Sequence, residues 1–162
     1  MRFELTQVID GPVDEVAAAY ATPEMYEAMG PTTKLGAPEV LGRTELDGQV
    51  TLRIRYRFVG DLSPAVTAVV DPARLTWVEE SVHDLGGLSV AVTLRPDHYA
   101  DRLRCTGTYR YRSRGDQAER QITGDLRVKA LLVAGTVERA IISGLEEHLA
   151  AEVAAVERYL AG

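Results

Sequence analysis

The chain has 162 residues, 46% of them hydrophobic and 26% charged, with a formal net charge of −6. That length and balance suit one domain with a real core and exclude a low-complexity or collagen-like chain. The acidic surplus argues against a nucleic-acid partner or an anionic membrane surface, and a lone Cys105 excludes an internal disulfide.

The opening "MRFELTQVID" alternates polar and apolar residues and has no charged-then-apolar leader, so it does not read as a signal peptide. No apolar run is long enough to span a bilayer. The spacing of Cys105 to the three histidines fits no structural zinc pattern. The expectation is a soluble cytoplasmic protein with no cofactor and no metal.

Residues 2–9 alternate as a strand. "PVDEVAAAY" and "TPEMYEAMG" then read as two short helices, each with proline near its first turn. From about residue 35 to 128 strand follows strand. "GAPEVLGRTEL" and "VTLRIRYRFVG" flank Asp47-Gly48, a strong hairpin signal. "LTWVEESVHDL" and "LSVAVTLRP" flank Gly86-Gly87, and "RLRCTGTYRYRS" and "AERQITGDLRVK" flank Arg114-Gly115-Asp116. "SPAVTAVVDPARL" is expected to hold a short helix after Pro64. The chain ends in "AGTVERAIISGLEEHLAAEVAAVERYL", residues 134–160, one long amphipathic helix. Its apolar stripe contains Ala134, Ile141, Leu145, Leu149, Val156 and Leu160, with Glu138 and Glu152 in the same stripe.

An antiparallel sheet of this size has one face to cover, and only the last helix is large enough to cover it. The reading is therefore a single α+β domain over residues 1–162. A curved antiparallel sheet of six to seven strands wraps around a long C-terminal helix, and two short helices follow the first strand. Such a sandwich leaves space between sheet and helix.

This order resembles the helix-grip fold of the START-like (SRPBCC, Bet v 1-like) superfamily over nearly the whole chain. Within it the sequence is most similar to the actinobacterial DUF2505 family. "MRFELT", "PVDEVAAAYATPEMYEA" and "RVKALLVAGTVERAI" carry the resemblance. In the last segment Gly135 and Glu138 match the family's pattern, while Leu131 stands for its proline and Ala134 for its first glycine. The resemblance implies a cavity that holds apolar small molecules or lipids, or in polyketide cyclases performs chemistry on them.

Along "TLRIRYRFV", Arg53, Arg55 and Arg57 share one face, and Leu52, Ile54, Tyr56 and Phe58 the other. In the last hairpin Arg104, Arg110 and Arg112 face out and Leu103, Cys105, Tyr109 and Tyr111 face in. The arginine face reads either as a patch for an anionic partner or, as favoured here, as a solvated surface paired to Glu119, Asp125 and their neighbours. No aromatics interleave there, which argues against single-strand binding.

The inward set carries more chemistry. Tyr56, Tyr109, Tyr111 and Trp77 need partners or a ligand if buried. Arg120, in phase with Ile122, Leu126 and Val128, points inward near the open end of its strand. Glu138 is either a ligand-facing group or a carboxylate favoured by the helix dipole. Glu152 is either a second ligand-facing group or, as favoured here, reaches the cavity mouth and solvent. His148, at the flank of the stripe, is either a general base or an edge-of-core residue. His83 and His98 lie near predicted turns, and Cys105 packs as a small hydrophobe.

The expected ligand-binding residues are Tyr56, Trp77, Tyr109, Tyr111, Arg120, Glu138, Ile141, Leu145 and His148. Leu52, Ile54, Phe58, Val90, Val92 and Leu149 join Ile141 and Leu145 in the apolar wall. No nucleophile elbow, HExxH motif, phosphate loop or dinucleotide fingerprint is present. The leading expectation is a binding protein for an apolar or amphipathic small molecule. A cyclase- or aromatase-like enzyme and an interaction module using the arginine face are the alternatives, and the cavity is either open or filled by side chains.

Overall fold

The computed structural model describes residues 1–130 and 132–162; Leu131, which stands for the family's proline, lies outside the described residues. The described residues form seven strands and four helices: β1 Arg2–Asp10, α1 Val13–Tyr20, α2 Pro23–Glu27, β2 Glu39–Leu46, β3 Gln49–Arg57, α3 Pro64–Thr67, β4 Thr76–Asp84, β5 Ser89–Pro96, β6 Leu103–Arg114, β7 Gln117–Val128 and α4 Ala134–Ala161. A 3₁₀ turn at Pro72–Arg74 follows α3. The expected short helix after Pro64 is α3, where the Ser63 hydroxyl accepts from the backbone of Val66.

The strands form one antiparallel sheet in the order β1-β7-β6-β5-β4-β3-β2. All three expected hairpins form. At the first, Asp47 and Gly48 both take positive φ, 52° and 76°, as a two-residue turn that follows strand twist requires. At the second, the left-handed residue is Leu88 (φ 51°) rather than either glycine. There the Asp84 carboxylate accepts from the Gly87 amide at 3.0 Å and fixes the turn.

Alternation decides the two faces. In β3 the burial switches at every residue, with Val50, Leu52, Ile54 and Tyr56 inside and the arginines outside. β4 places Trp77, Glu79, Ser81 and His83 on the inner face, and β7 places Ala118, Arg120, Ile122 and Leu126 there. α4 lies across that face. Its buried side runs through Val137, Ile142, Leu145, His148, Leu149, Glu152, Ala155 and Val156. α1 and α2 pack against α4 and close one end with Tyr20, Met25 and Tyr26. The Tyr26 hydroxyl donates to the Tyr20 carbonyl at 2.7 Å.

Candidate functional site

The polar centre of the interior is built from opposite elements. β7 presents Arg120 and α4 presents Glu152, buried at 1% and 2% side-chain exposure, and Arg120 Nη1 donates to Glu152 Oε2 at 2.9 Å. The same nitrogen lies 3.5 Å from Oε1 of Gln7 on β1. The guanidinium is sandwiched by aromatic rings, 3.9 Å from the Tyr20 centroid and 4.4 Å from that of Tyr109. One turn before Glu152, His148 Nε2 lies 3.1 Å from its second oxygen and 3.2 Å from the Tyr56 hydroxyl. Burial would push the Glu152 carboxyl up, but Arg120 and His148 outweigh it and hold the group down to about 2. Burial likewise opposes a charged His148, and the Glu152 hydrogen bond and charge overcome it, raising the imidazole above its ordinary value.

Glu79 stands apart. It is 8% exposed, its cross-strand neighbours are Ile54 and Leu94, and burial followed by the nearby Glu152 charge raises it to about 7. It lines a small cavity with Phe3, Leu94, Cys105, Tyr109, Leu145 and His148, holding about 20 Å³ of free space, enough for about one water molecule. A second, mainly apolar cleft opens beside it, walled by Phe58, Leu62, Leu75, Trp77, Leu94 and Ile141, with Arg74, Thr76 and His98 also in its lining and about 40 Å³ of free space.

Cleft and cavity are two separate spaces between sheet and helix. Along β4 the wall passes from Trp77 of the cleft to Glu79 of the cavity, and the Leu94 side chain of β5 borders both. On α4 Ile141 borders the cleft, and Leu145, one turn on, borders the cavity. Side chains fill most of the interior around them.

The expected site residues divide accordingly. Tyr56, Tyr109, Arg120 and His148 converge at the polar centre; Trp77 and Ile141 line the cleft, and Leu145 the cavity. Tyr111 is buried against Tyr20, ring centroids 5.8 Å apart. Of the expected wall, Phe58 lines the cleft, Val92 and Leu149 line the cavity, and Leu52, Ile54 and Val90 pack in the core.

Glu138 differs from expectation. It pairs with the amino group of Met1 at 3.0 Å, its side chain 15% exposed, outside the polar centre. Seven residues fall about 20° short of two helical turns, so a stripe followed in sevens drifts off the buried side. Glu152, expected at the mouth, is instead the buried partner of Arg120, and Arg120 itself is enclosed rather than near an open end. His83, expected near a turn, faces inward on β4, 2.9 Å from Ser81. Burial, with Arg120 adding to it, lowers it to about 4. His98 is exposed at the cleft.

Glu79 is the most consequential of the residues that sequence reasoning passed over, Tyr20 and Gln7 beside Arg120 being the others. Its signal was the alternation of "TWVEESVHD", since a Trp77 that faces inward takes Glu79, Ser81 and His83 with it.

On the outer face some of the arginines are paired. Arg55 makes two bonds to Asp97, just past β5, at 3.1 and 3.2 Å, Arg112 meets Glu119 of the neighbouring β7 at 2.7 Å, and Arg127 meets Asp125 of its own strand at 3.3 Å. That is a solvated sheet face with partners on the same and on neighbouring elements. Among the described residues no cluster fits a metal ion, and no helix is long and apolar enough to cross a membrane.

Solved structures share this architecture. The Zhui aromatase/cyclase from a Streptomyces strain superposes with a TM-score of 0.69 at 16% identity, covering 99% of this chain and 95% of that one. Norcoclaurine synthase from Thalictrum flavum gives 0.65 at 19%, covering 99% and 86%, and has also been solved with dopamine and hydroxybenzaldehyde. A Thermus thermophilus protein gives 0.65 at 16%, covering 98% and 95%. At such identities the likeness shows the helix-grip fold and nothing finer. No curated protein matches the chain by sequence. The profile of one family does match, over residues 4–160, and by that match the chain belongs to DUF2505, a family described as of unknown function.

Proposed function

We propose that the protein binds an apolar or amphipathic small molecule between the sheet and α4, in a channel that joins cleft and cavity when the Leu94 side chain moves aside. The observation that carries this reading is the mainly apolar cleft walled by Phe58, Trp77, Leu94 and Ile141, which shares Leu94 with the cavity that Glu79 and His148 line. Unmet hydrogen-bonding capacity in that interior supports it: Trp77 Nε1 and the hydroxyls of Tyr20 and Tyr111 have no partner among the described residues. The fold neighbours named for chemistry on small molecules support it as well.

Trp77 is the only tryptophan and lines the cleft, so its emission reports occupancy directly. Titration with 1-octanol is expected to give a saturable change in Trp77 fluorescence. Ala140→Phe, which fills the cleft wall, is expected to abolish it while leaving the circular dichroism intact. A linear, unsaturable response in the native protein would sink the reading.

A second reading, cyclase- or aromatase-like acid–base chemistry, is favoured by Glu79 standing near 7 beside His148 in the same cavity.

A further inference from the structure

We propose that Glu79 recognises the polar head of the molecule in the channel, and that this head is a hydrogen-bond donor, an alcohol or an ammonium group ending an apolar body. The inference rests on the binding reading above and names the ligand chemistry for that site.

The argument is one of what is left over. Both oxygens of Glu152 are taken, one by Arg120 and one by His148. Arg120 gives Nη1 to Glu152 and Gln7 and is enclosed by two rings; its Nε has no partner among the described residues, but it is a donor and so offers nothing to a donor head. His148 Nε2 is spent on Glu152 and Tyr56. Glu79 faces these groups, with Tyr109 and Cys105 of β6 completing the cavity, yet forms no ion pair among the described residues. Glu79 lines the small cavity, two residues along its own strand Trp77 lines the cleft, and the Leu94 side chain stands at the border of both.

A molecule entering by the cleft and displacing the Leu94 side chain therefore meets a carboxyl at the far end. An ionised carboxyl only accepts hydrogen bonds, so it takes a donor and repels a second carboxylate. Since burial and Glu152 raise Glu79 to about 7, its ionisation near neutrality depends on what faces it. An ammonium head favours the ionised form, so its affinity should rise with pH through this range.

The test compares 1-octanol, octylamine, 2-octanone and octanoate at pH 6 and pH 8, read by Trp77 fluorescence. At pH 8 the alcohol, the amine or both are expected to bind at least tenfold more tightly than the ketone and the carboxylate. Which of the two donors leads assigns the head as hydroxyl or ammonium. Octylamine should gain affinity from pH 6 to pH 8, and Glu79→Gln should erase both the ranking and that gain. Should Glu79→Gln not fold, Glu79→Asp, which withdraws the carboxyl by one methylene, is expected to weaken the ranking. Equal affinity for the four heads, or a ranking unchanged in the variants, overturns the proposal while leaving cavity binding in place. Failure of all four to bind removes the binding reading and this one with it.

Discussion

Glu152 joins Arg120 and His148 through one buried carboxylate, and its two oxygens cannot be replaced by solvent. Glu152→Gln leaves Arg120 charged in a dry site, and removing one partner of a buried pair costs about 3–5 kcal/mol. Urea unfolding should show that loss. Replacing both partners, Arg120→Met with Glu152→Leu, should recover most of it, because two apolar side chains carry no desolvation cost. A double variant as unstable as Glu152→Gln would mean that the stacking on Tyr20 and Tyr109, not the charge pair, holds this region.

Among the elements, β7 depends on its glycine. A Cβ on Gly124 would lie 2.3 Å from the Phe3 ring of the neighbouring strand, which lies over it. Gly124→Ala must therefore move that ring, and the ring borders the cavity beside Glu79. A stability loss of about 1–3 kcal/mol is expected, of the size seen for overpacking, together with weaker 1-octanol binding. Thermal melting and the Trp77 titration read the two effects separately.

The elements themselves were legible in the chain. Strand alternation, Asp47-Gly48 and the proline-led helices are local signals, and the structure follows them. The site was legible only where alternation was unambiguous, as for Tyr56 and Arg120. Helix phase was not enough to rank Glu138 and Glu152, since their difference comes from what the sheet places opposite each. Glu79 was hidden because an acidic pair, Glu79-Glu80, looks like surface until a neighbouring strand determines which of the two faces in.

For the molecule as a whole, the buried titrating groups give stability a pH dependence. The carboxyl of Glu79 stands at about 7 when folded against an ordinary 4.5. Between those values the folded protein holds a proton that the unfolded chain has released, so stability falls as pH rises through that window, by up to about 3 kcal/mol. His148, raised by Glu152, acts in the same direction, its contribution being lost as pH rises above 6.5. His83, lowered to about 4, acts oppositely, its contribution being lost as pH falls from 6.5 towards 4. Urea midpoints from pH 4.5 to 8 should therefore decline less steeply in Glu79→Gln than in the native protein. Parallel pH profiles would show that Glu79 is not protonated in the folded state.

The strand order sets when this protein is able to form. β1 has a single neighbour in the sheet, β7, and Arg2 lies opposite Asp125. During synthesis, then, the first strand to emerge waits until nearly the whole meander has been made. Until then its edge is unpaired, and the inner face of the sheet has no helix over it, because α4 comes later still. Closure is a late event that joins the beginning of the chain to its end. A nascent chain stalled before residue 117 therefore exposes the same inner face that the finished protein keeps beneath α4.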